Sequence, residues 1–343
     1  MKVKLYFENE KAIKKSGIGR ALKHQKKALT INKIDFTTNH SNRDFDILHI
    51  NTIYLASYLE LKKAKNNNKK IVYHAHSTKE DFKNSFMFSN LIAPLYQIWL
   101  LNMYKKADSI ITPTPYSKSL LEGYGLKQDI IAISNGIDTE RFKKDLNKEN
   151  RFEEYFNLSK DSKVIISVGW LFERKGFDTF CEVASRLPDY TFIWFGDKNL
   201  SFPSKKIRKW IKSLPDNVIL PGYIDGDIII GGYTRADLFF FPSREETEGI
   251  VVLEALSAKC KVLVRDIPVF NGWLKNKENC YMANNNDEFV DIIPKILEKE
   301  LPDLSEAGFL VAQARNFDAI GKQINSVYCA TLKGKKEDCE TNC

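Results

Sequence analysis

Two carboxylates seven residues apart, Glu246 and Glu254, bracket a segment with the makings of a binding site. The segment reads Phe241-Pro242-Ser243-Arg244-Glu245-Glu246-Thr247-Glu248-Gly249-Ile250-Val251-Val252-Leu253-Glu254-Ala255-Leu256. An apolar run ends in Pro-Ser, a carboxylate cluster and a glycine follow, and an apolar helical pattern then opens. A helix beginning near Thr247 would present unpaired N–H groups and a positive dipole end to an anion. The flanking carboxylates can accept hydrogen bonds from hydroxyls. Diphosphate and hydroxyls together are the chemistry of a nucleotide-sugar. An ordinary capped helix with an acidic first turn has the same composition, because the dipole favours acidic residues there.

A second segment carries cations. Ser167-Val168-Gly169-Trp170-Leu171-Phe172-Glu173-Arg174-Lys175-Gly176-Phe177-Asp178 follows a strand pattern and precedes a helix pattern. Arg174 and Lys175 could neutralise a diphosphate. Breaking a sugar–phosphate bond leaves extra charge on the departing nucleotide, so fixed cations there favour the transition state over the ground state. A solvated loop pair is the plainer alternative. Gly17 and Gly19, in Lys15-Ser16-Gly17-Ile18-Gly19-Arg20, let backbone amides approach a ligand at a helix start. They lack the spacing of the dinucleotide fingerprint. His76 ends another strand pattern and can hydrogen-bond a hydroxyl or an oxyanion in either protonation state. His74 shares its face but lies deeper, which suits a core histidine. Asp44-Phe45-Asp46 has metal-motif spacing but precedes a strand and reads as a turn.

These residues need a frame of parallel strands. Strand patterns fall at Val3–Phe7, Ile47–Asn51, Lys70–His76, Ser109–Thr112 and Ile130–Ser134. A second series falls at Val164–Val168, Thr191–Phe195, Asn217–Leu220, Leu238–Phe241 and Lys261–Arg265. Helical patterns come between, among them Ile18–Leu29, Phe177–Arg186 and Glu254–Ala258. Such alternation predicts an α/β fold with parallel sheets, whose ligands bind beyond the carboxyl ends of the strands. The chain has 343 residues, too many for one ordinary core. Asn135-Gly136-Ile137-Asp138 and the polar stretch after it predict an N-terminal domain over 1–150 and a C-terminal domain over 151–316. Closing helices over 317–333 and a polar tail over 334–343 complete the expected layout.

Hydrophobic residues at 43% against 28% charged exclude global disorder. The net charge of +8 and a pI near 8.9 favour an anionic partner. No nucleic-acid-binding module is recognisable, which sets nucleic acid aside. The start Met-Lys-Val-Lys-Leu-Tyr-Phe has too short an apolar run for a signal peptide, so the cysteines are expected to be reduced. Cys339 and Cys343 could also bind metal or pair, but no histidine stands beside them.

The segment around Glu246 and Glu254 resembles the Glu, seven residues, Glu signature of the retaining glycosyltransferase family four. Gly169 to Gly176 is similar to that family's Gly-Arg-Leu…Lys-Gly motif, with Trp170 where an Arg is usual and Glu248 where an aromatic often stands. The resemblance covers nearly the whole chain. It implies a GT-B fold, two doubly wound Rossmann-like domains facing across a cleft. It also implies a UDP-hexose donor substrate, no cofactor, and catalysis with retention. It implies that Glu246 binds hydroxyls of the donor sugar and that amides near Glu248 and Gly249 bind the sugar and phosphate. Glu254 would hold the ribose, Arg174 and Lys175 the diphosphate, and Gly17 and Gly19 would border donor and acceptor. His76 would orient the sugar and the backbone at Tyr223 would hold the base. No metal site is required by that fold, so metal-independent catalysis is expected.

The N-terminal half is similar to bacterial diglycosyl-diacylglycerol synthases. The similarity rests on Lys15 to Arg20, on His76-Ser77-Thr78-Lys79-Glu80-Asp81-Phe82 with Asn84-Ser85-Phe86, and on Thr112-Pro113-Thr114-Pro115-Tyr116-Ser117. It implies hexose transfer to a membrane glycolipid such as monoglucosyl-diacylglycerol, glucose and galactose staying open. The alternatives are a polyprenyl-linked or soluble glycan acceptor, or a GT-B protein that binds nucleotide or lipid without turnover. The apolar, aromatic segment Phe86 to Tyr104, including Phe88 and Trp99, fits either an interfacial element or a buried helix. Lys205-Lys206-Ile207-Arg208-Lys209-Trp210-Ile211-Lys212 places Ile207, Trp210 and Ile211 on one side of a basic helix. That pattern fits anionic headgroups, met by Lys205, Arg208 and Lys209, or an ordinary surface helix. The expected location is the cytoplasmic face of the cell membrane, peripherally bound to anionic lipid.

Overall fold

A computed structural model describes residues 1–9, 16–196 and 204–334. Lys15 of the glycine loop, and Cys339 and Cys343 of the tail, lie outside the described residues. The chain forms two compact units, one of Met1–Lys79, Ile92–Gly136 and the chain from Arg315, the other of Glu80–Leu91 and Ile137–Ala314.

In the first unit, β1 (Val3–Tyr6) leads to α1 (Gly17–Ile31), β2 (Phe36–Thr37), β3 (Ile47–Ile50), α2 (Leu55–Asn66) and β4 (Lys70–His74). A short helix, α3 (Lys79–Phe82), precedes α4 (Ser89–Tyr104), β5 (Ser109–Thr112), α5 (Pro115–Gly123) and β6 (Asp129–Ala132). The strands pair in parallel in the order β2-β1-β3-β4-β5-β6. Both faces of the sheet are buried, which is why its strands read as mostly apolar runs, with Lys4 and His49 among the buried exceptions. On one face Val3, Leu5, Ile47, Val72 and Ile111 pack with Leu22 and Leu29 of α1. Ile320, Ile324 and Tyr328 of the last helix (Phe317–Lys333) join the same core. On the other face Leu48, Ile50, Ile71, Tyr73 and Ile110 pack with Leu61, Leu100 and Met103.

In the second unit, α6 (Leu146–Phe156) precedes β7 (Val164–Val168), α7 (Phe177–Arg186), β8 (Thr191–Phe195), α8 (Lys205–Lys212) and β9 (Val218–Gly222). Next come α9 (Asp227–Arg235), β10 (Leu238–Phe241), α10 (Ile250–Ser257), β11 (Val262–Arg265), β12 (Tyr281–Ala283), α11 (Asn286–Leu297) and α12 (Ser305–Gln313), ahead of the last helix, α13. The sheet is again parallel, in the order β12-β11-β10-β7-β8-β9. Pro221 sits in the edge strand β9, where a missing N–H costs no inner ladder bond. From β7 the chain runs outward through β8 and β9, then returns to β7's other side at β10. The point where strand order reverses, between β7 and β10, is where such sheets bind ligands.

The structure differs from the sequence reading in instructive places. The helix expected near Thr247 begins at Ile250, because Gly249 adopts φ +85°, a left-handed turn that keeps the preceding loop out of the helix. Residues 146–156, in the polar stretch, form α6, capped by Asp145 and burying Phe152. This helix belongs to the second unit, which takes up the chain at Ile137. Few apolar residues are needed to anchor so short a helix, so its periodicity is faint.

Candidate active site

The loops after β7 and β10 are stitched together. Lys175 Nζ lies 2.5 Å from Glu246 Oε1; the Glu246 side chain is buried and that of Lys175 is mostly so. Ser243 Oγ, fully buried, donates to the same Glu246 oxygen at 2.7 Å and approaches the Arg174 carbonyl at 3.2 Å. Gly176, at φ +76°, passes so close to the Pro242 carbonyl that a Cβ would lie 2.3 Å from its oxygen. Only glycine allows these loops to meet. Burial pulls the Lys175 ammonium below its usual range and the neighbouring Arg174 charge adds to this, while Glu246 works the other way. A lysine held this way is a compact buried charge with one carboxylate partner, suited to receive a second anion.

Arg244, which the sequence reading passed over, braces this arrangement. Its guanidinium forks onto Asp178 at 2.7 and 2.8 Å, donates to Thr179 Oγ1 at 2.8 Å, and reaches the Glu173 carbonyl at 2.5 Å. Its backbone N–H donates to the Arg174 carbonyl at 2.7 Å. Burial alone would raise the Asp178 carboxyl, but hydrogen bonds from Arg244 and Lys206 outweigh it and hold it below the usual range. The position of Arg244, directly after Pro-Ser, was the available signal.

Arg174 is buried and engaged. Its Nη1 lies 2.9 Å from Asp81 Oδ1 and its Nε donates to Ser85 Oγ at 2.7 Å. Glu254, on α10, is buried and accepts from Tyr233 Oη at 2.8 Å. Glu248 and Gly249 are buried in the β10–α10 loop, and Tyr223 follows β9 directly with its side chain partly exposed. Lys175, Arg174, Glu246, Glu248, Gly249, Glu254 and Tyr223 therefore all stand in or beside loops at the carboxyl ends of β7, β9 and β10.

In the first unit, His76 lies beyond β4 and is buried, its Nε2 3.0 Å from Asn51 Oδ1. Its ring stacks on His74 with centroids 4.2 Å apart, and His74 stacks on His49 at 5.5 Å. Gln25 Nε2 donates to His74 Nδ1 at 2.8 Å and to His49 Nε2 at 3.2 Å, while His49 Nδ1 meets Tyr328 Oη at 2.5 Å. His74 is a core histidine with one satisfied nitrogen; its Nε2 has no partner. Gly17 opens α1 in the open, and the Gly19 N–H is taken by the Ser16 hydroxyl at 3.2 Å.

The aromatic segment resolves into a hook and a helix. Phe86 and Phe88 are exposed, Phe88 at 65%. Trp99 is half-buried, its indole N–H donated to the Ile53 carbonyl at 2.6 Å. The helical phase instead leaves Leu91, Ile92, Leu95 and Ile98 exposed on α4, with Leu55 and Leu59 exposed on α2. On α8, Trp210 and Ile211 pack against the second unit's core beside buried Ile207. The apolar side of that helix is thus turned inward, and Lys205, Arg208 and Lys209 remain exposed. Among the described residues no helix is long and apolar enough to cross a membrane.

Paired parallel sheets with these loops define the GT-B class of glycosyltransferases. Residues 28–141 match the family model described as Glycosyltransferase Family 4, and residues 148–316 match Glycosyl transferases group 1. The chain belongs to this glycosyltransferase family. It is 44% identical over 337 residues to the processive diacylglycerol alpha-glucosyltransferase of Acholeplasma laidlawii, covering 98% of this chain and 100% of that protein. It is 24% identical to the alpha-galactosylglucosyldiacylglycerol synthase of Streptococcus pneumoniae (strain ATCC BAA-255 / R6), over 66% of this chain and 61% of that one. Among solved structures, Anabaena Alr3699/HepE in complex with UDP and glucose has a TM-score of 0.76 at 16% identity, over 96% of this chain and 100% of that one. Sucrose-phosphate synthase from Thermosynechococcus elongatus has a TM-score of 0.80 at 15% identity, over 98% and 100%.

Proposed function

We propose that this glycosyltransferase moves a hexose from UDP-hexose to a membrane glycolipid such as monoglucosyl-diacylglycerol, with retention at the anomeric carbon and without a metal ion. The observation that carries the reading is the full-length similarity to a diacylglycerol alpha-glucosyltransferase. That relative's name favours glucose as the sugar. UDP-glucose carries an α-linked hexose, so an α-linked product is net retention.

In this reading Lys175 and the amides leading into α10 take up charge on the departing diphosphate, and Arg174 contributes the N–H groups its other contacts leave over. Glu246, already fixed by Ser243 and Lys175, accepts hydroxyls of the hexose. Glu254, oriented by Tyr233, accepts the ribose hydroxyls. His76, held by Asn51, hydrogen-bonds the sugar. The acceptor hydroxyl attacks the anomeric carbon from the side the diphosphate leaves, and a donor phosphate oxygen takes its proton. No protein nucleophile is needed. The exposed leucines and isoleucines of α4 and α2 support a lipid-facing side, and the basic side of α8 suits anionic headgroups at the cytoplasmic leaflet.

The test is an incubation of UDP-glucose with monoglucosyl-diacylglycerol in mixed micelles containing EDTA, with the product's anomeric proton read by NMR. An α-linked diglucosyl lipid is expected. A β-linked product would overturn retention, and a reaction abolished by EDTA and restored by a divalent ion would overturn metal independence.

A further inference from the structure

The chain between β4 and α4 makes a hook, residues 80–91, that belongs to the second unit although the strands on either side belong to the first. The hook is internally tied. Ser85 Oγ donates to the Asp81 carbonyl at 3.1 Å, and Asn84 and Asn90 exchange two bonds, at 3.0 and 2.8 Å. Phe82 and Phe86 meet edge to face at 5.2 Å. Two of its residues, Asn84 (φ +55°) and Phe88 (φ +71°), hold left-handed backbone that a phenylalanine adopts only when the surroundings impose it.

What the hook grips is Arg174. Asp81 takes Nη1, Ser85 takes Nε, and the Asn84 carbonyl accepts the Arg174 backbone N–H at 3.2 Å. Nη1 also leans toward the Glu245 carbonyl at 3.4 Å, and the guanidinium carbon stands 5.5 Å from the centre of the Phe172 ring. Nε and Nη1 are thereby engaged, and Nη2 makes no hydrogen bond among the described residues. Two like charges, Arg174 and Lys175, are adjacent in sequence and mutually unfavourable, and a carboxylate beside Arg174 offsets that repulsion.

We propose that Asp81 and Ser85 are positioning residues for the transfer reaction. They clamp Arg174 through Nε and Nη1 and keep it beside Lys175 with Nη2 free to meet the diphosphate of the donor. The inference rests on the reading of Arg174 and Lys175 as the donor's phosphate cations. It adds that the phosphate site is completed by a hook from between β4 and α4, not by the β7 loop alone. Asparagine at 81 keeps the shape but removes the charge; glutamate keeps the charge one methylene further out.

Isothermal titration of the full-length protein with UDP tests this, using Ser85→Ala, Asp81→Asn, Asp81→Glu, Arg174→Gln and the double variant Asp81→Asn/Arg174→Gln. The expected results are a loss of about tenfold in UDP affinity for Asp81→Asn and for Arg174→Gln, a smaller loss for Ser85→Ala, and recovery of most of it in Asp81→Glu. The double variant should bind no more weakly than Arg174→Gln, because Asp81 acts through the arginine. Wild-type affinity in Asp81→Asn, or losses that multiply in the double variant, would overturn the clamp while leaving the donor site standing. Unchanged UDP affinity in Arg174→Gln, or no UDP binding by the wild type, would remove the donor reading and the clamp with it. Ser85→Ala keeps the comparison alive if the charge variants fold poorly.

Discussion

Lys175 Nζ and Glu246 Oε1 stand 2.5 Å apart, the carboxylate buried and the lysine mostly so, in a pair that joins the loops after β7 and β10. Removing one partner leaves an uncompensated buried charge, which costs about 3–5 kcal/mol. Lys175→Met should therefore lose both stability and activity. In Lys175→Met/Glu246→Gln the buried charges go together, so most of the stability should return while activity stays down by roughly a hundredfold or more. Urea unfolding beside transfer assays would show this. A double variant that recovers activity with stability would mean that the pair is only a structural tie.

Tyr233 Oη donates to Glu254 at 2.8 Å, and the hydroxyl has no other proposed duty. Tyr233→Phe should raise the KM for the UDP-sugar about tenfold to a hundredfold, with kcat little changed, in line with about 1.5–3 kcal/mol for a hydrogen bond to a charged group. A fall in kcat at constant KM would place Glu254 with the reacting sugar instead of the ribose.

Much of this site could be read from the chain before its fold was known, and the reasons are local. Beyond the strand ends at Val168 and Phe241 come the short charged runs Glu173-Arg174-Lys175 and Arg244-Glu245-Glu246, each ahead of a helical pattern, so the loops bearing Lys175 and Glu246 stand out. What could not be read is whatever depends on distant partners. Nothing near Arg174 in sequence indicates that Asp81 and Ser85 hold it, some 90 residues away. The two-residue strand β2 and three-residue strand β12 are too short to show a period. Trp99 and Trp210 looked surface-seeking by type, yet tryptophan serves equally well where its ring can pack and its N–H can find a carbonyl, as Trp99 does at Ile53.

The histidine stack of the first unit predicts acid sensitivity. Burial pushes His49 and His76 down to about 3 and His74 well below its ordinary 6.5, with the neighbouring His76 adding to the fall at His49 and His74. All three are neutral in the folded protein near neutral pH, whereas the unfolded chain protonates them near 6.5. Below that value the unfolded chain binds more protons, so stability is complete above 6.5 and falls as pH drops toward 3. Each histidine contributes about 1.4 kcal/mol per pH unit across that window. Unfolding free energy measured by urea titration from about pH 7 to 4.5 should fall with a slope that steepens toward three protons well below pH 6.5, and His49→Gln should lower that limit by one. A flat profile would contradict neutral burial of the stack.

On α4, Leu95 and Ile98 are 68% and 64% exposed and belong to none of the hydrophobic cores described above. Leu95→Ser/Ile98→Ser should leave stability within about 0.5 kcal/mol per site while cutting co-sedimentation with anionic vesicles severalfold. Unaltered vesicle binding would move the lipid contact elsewhere, the exposed basic side of α8 being the next candidate.

The central claim is transfer of a hexose to a glycolipid, and labelled transfer tests it most directly. UDP-glucose and UDP-galactose, each labelled in the sugar, are offered with monoglucosyl-diacylglycerol in anionic-lipid micelles, and products are separated by thin-layer chromatography and weighed by mass spectrometry. The account predicts a dihexosyl-diacylglycerol from UDP-glucose. Hydrolysis of the donor with no labelled lipid would contradict the acceptor, and silence with both donors would contradict the catalytic reading itself.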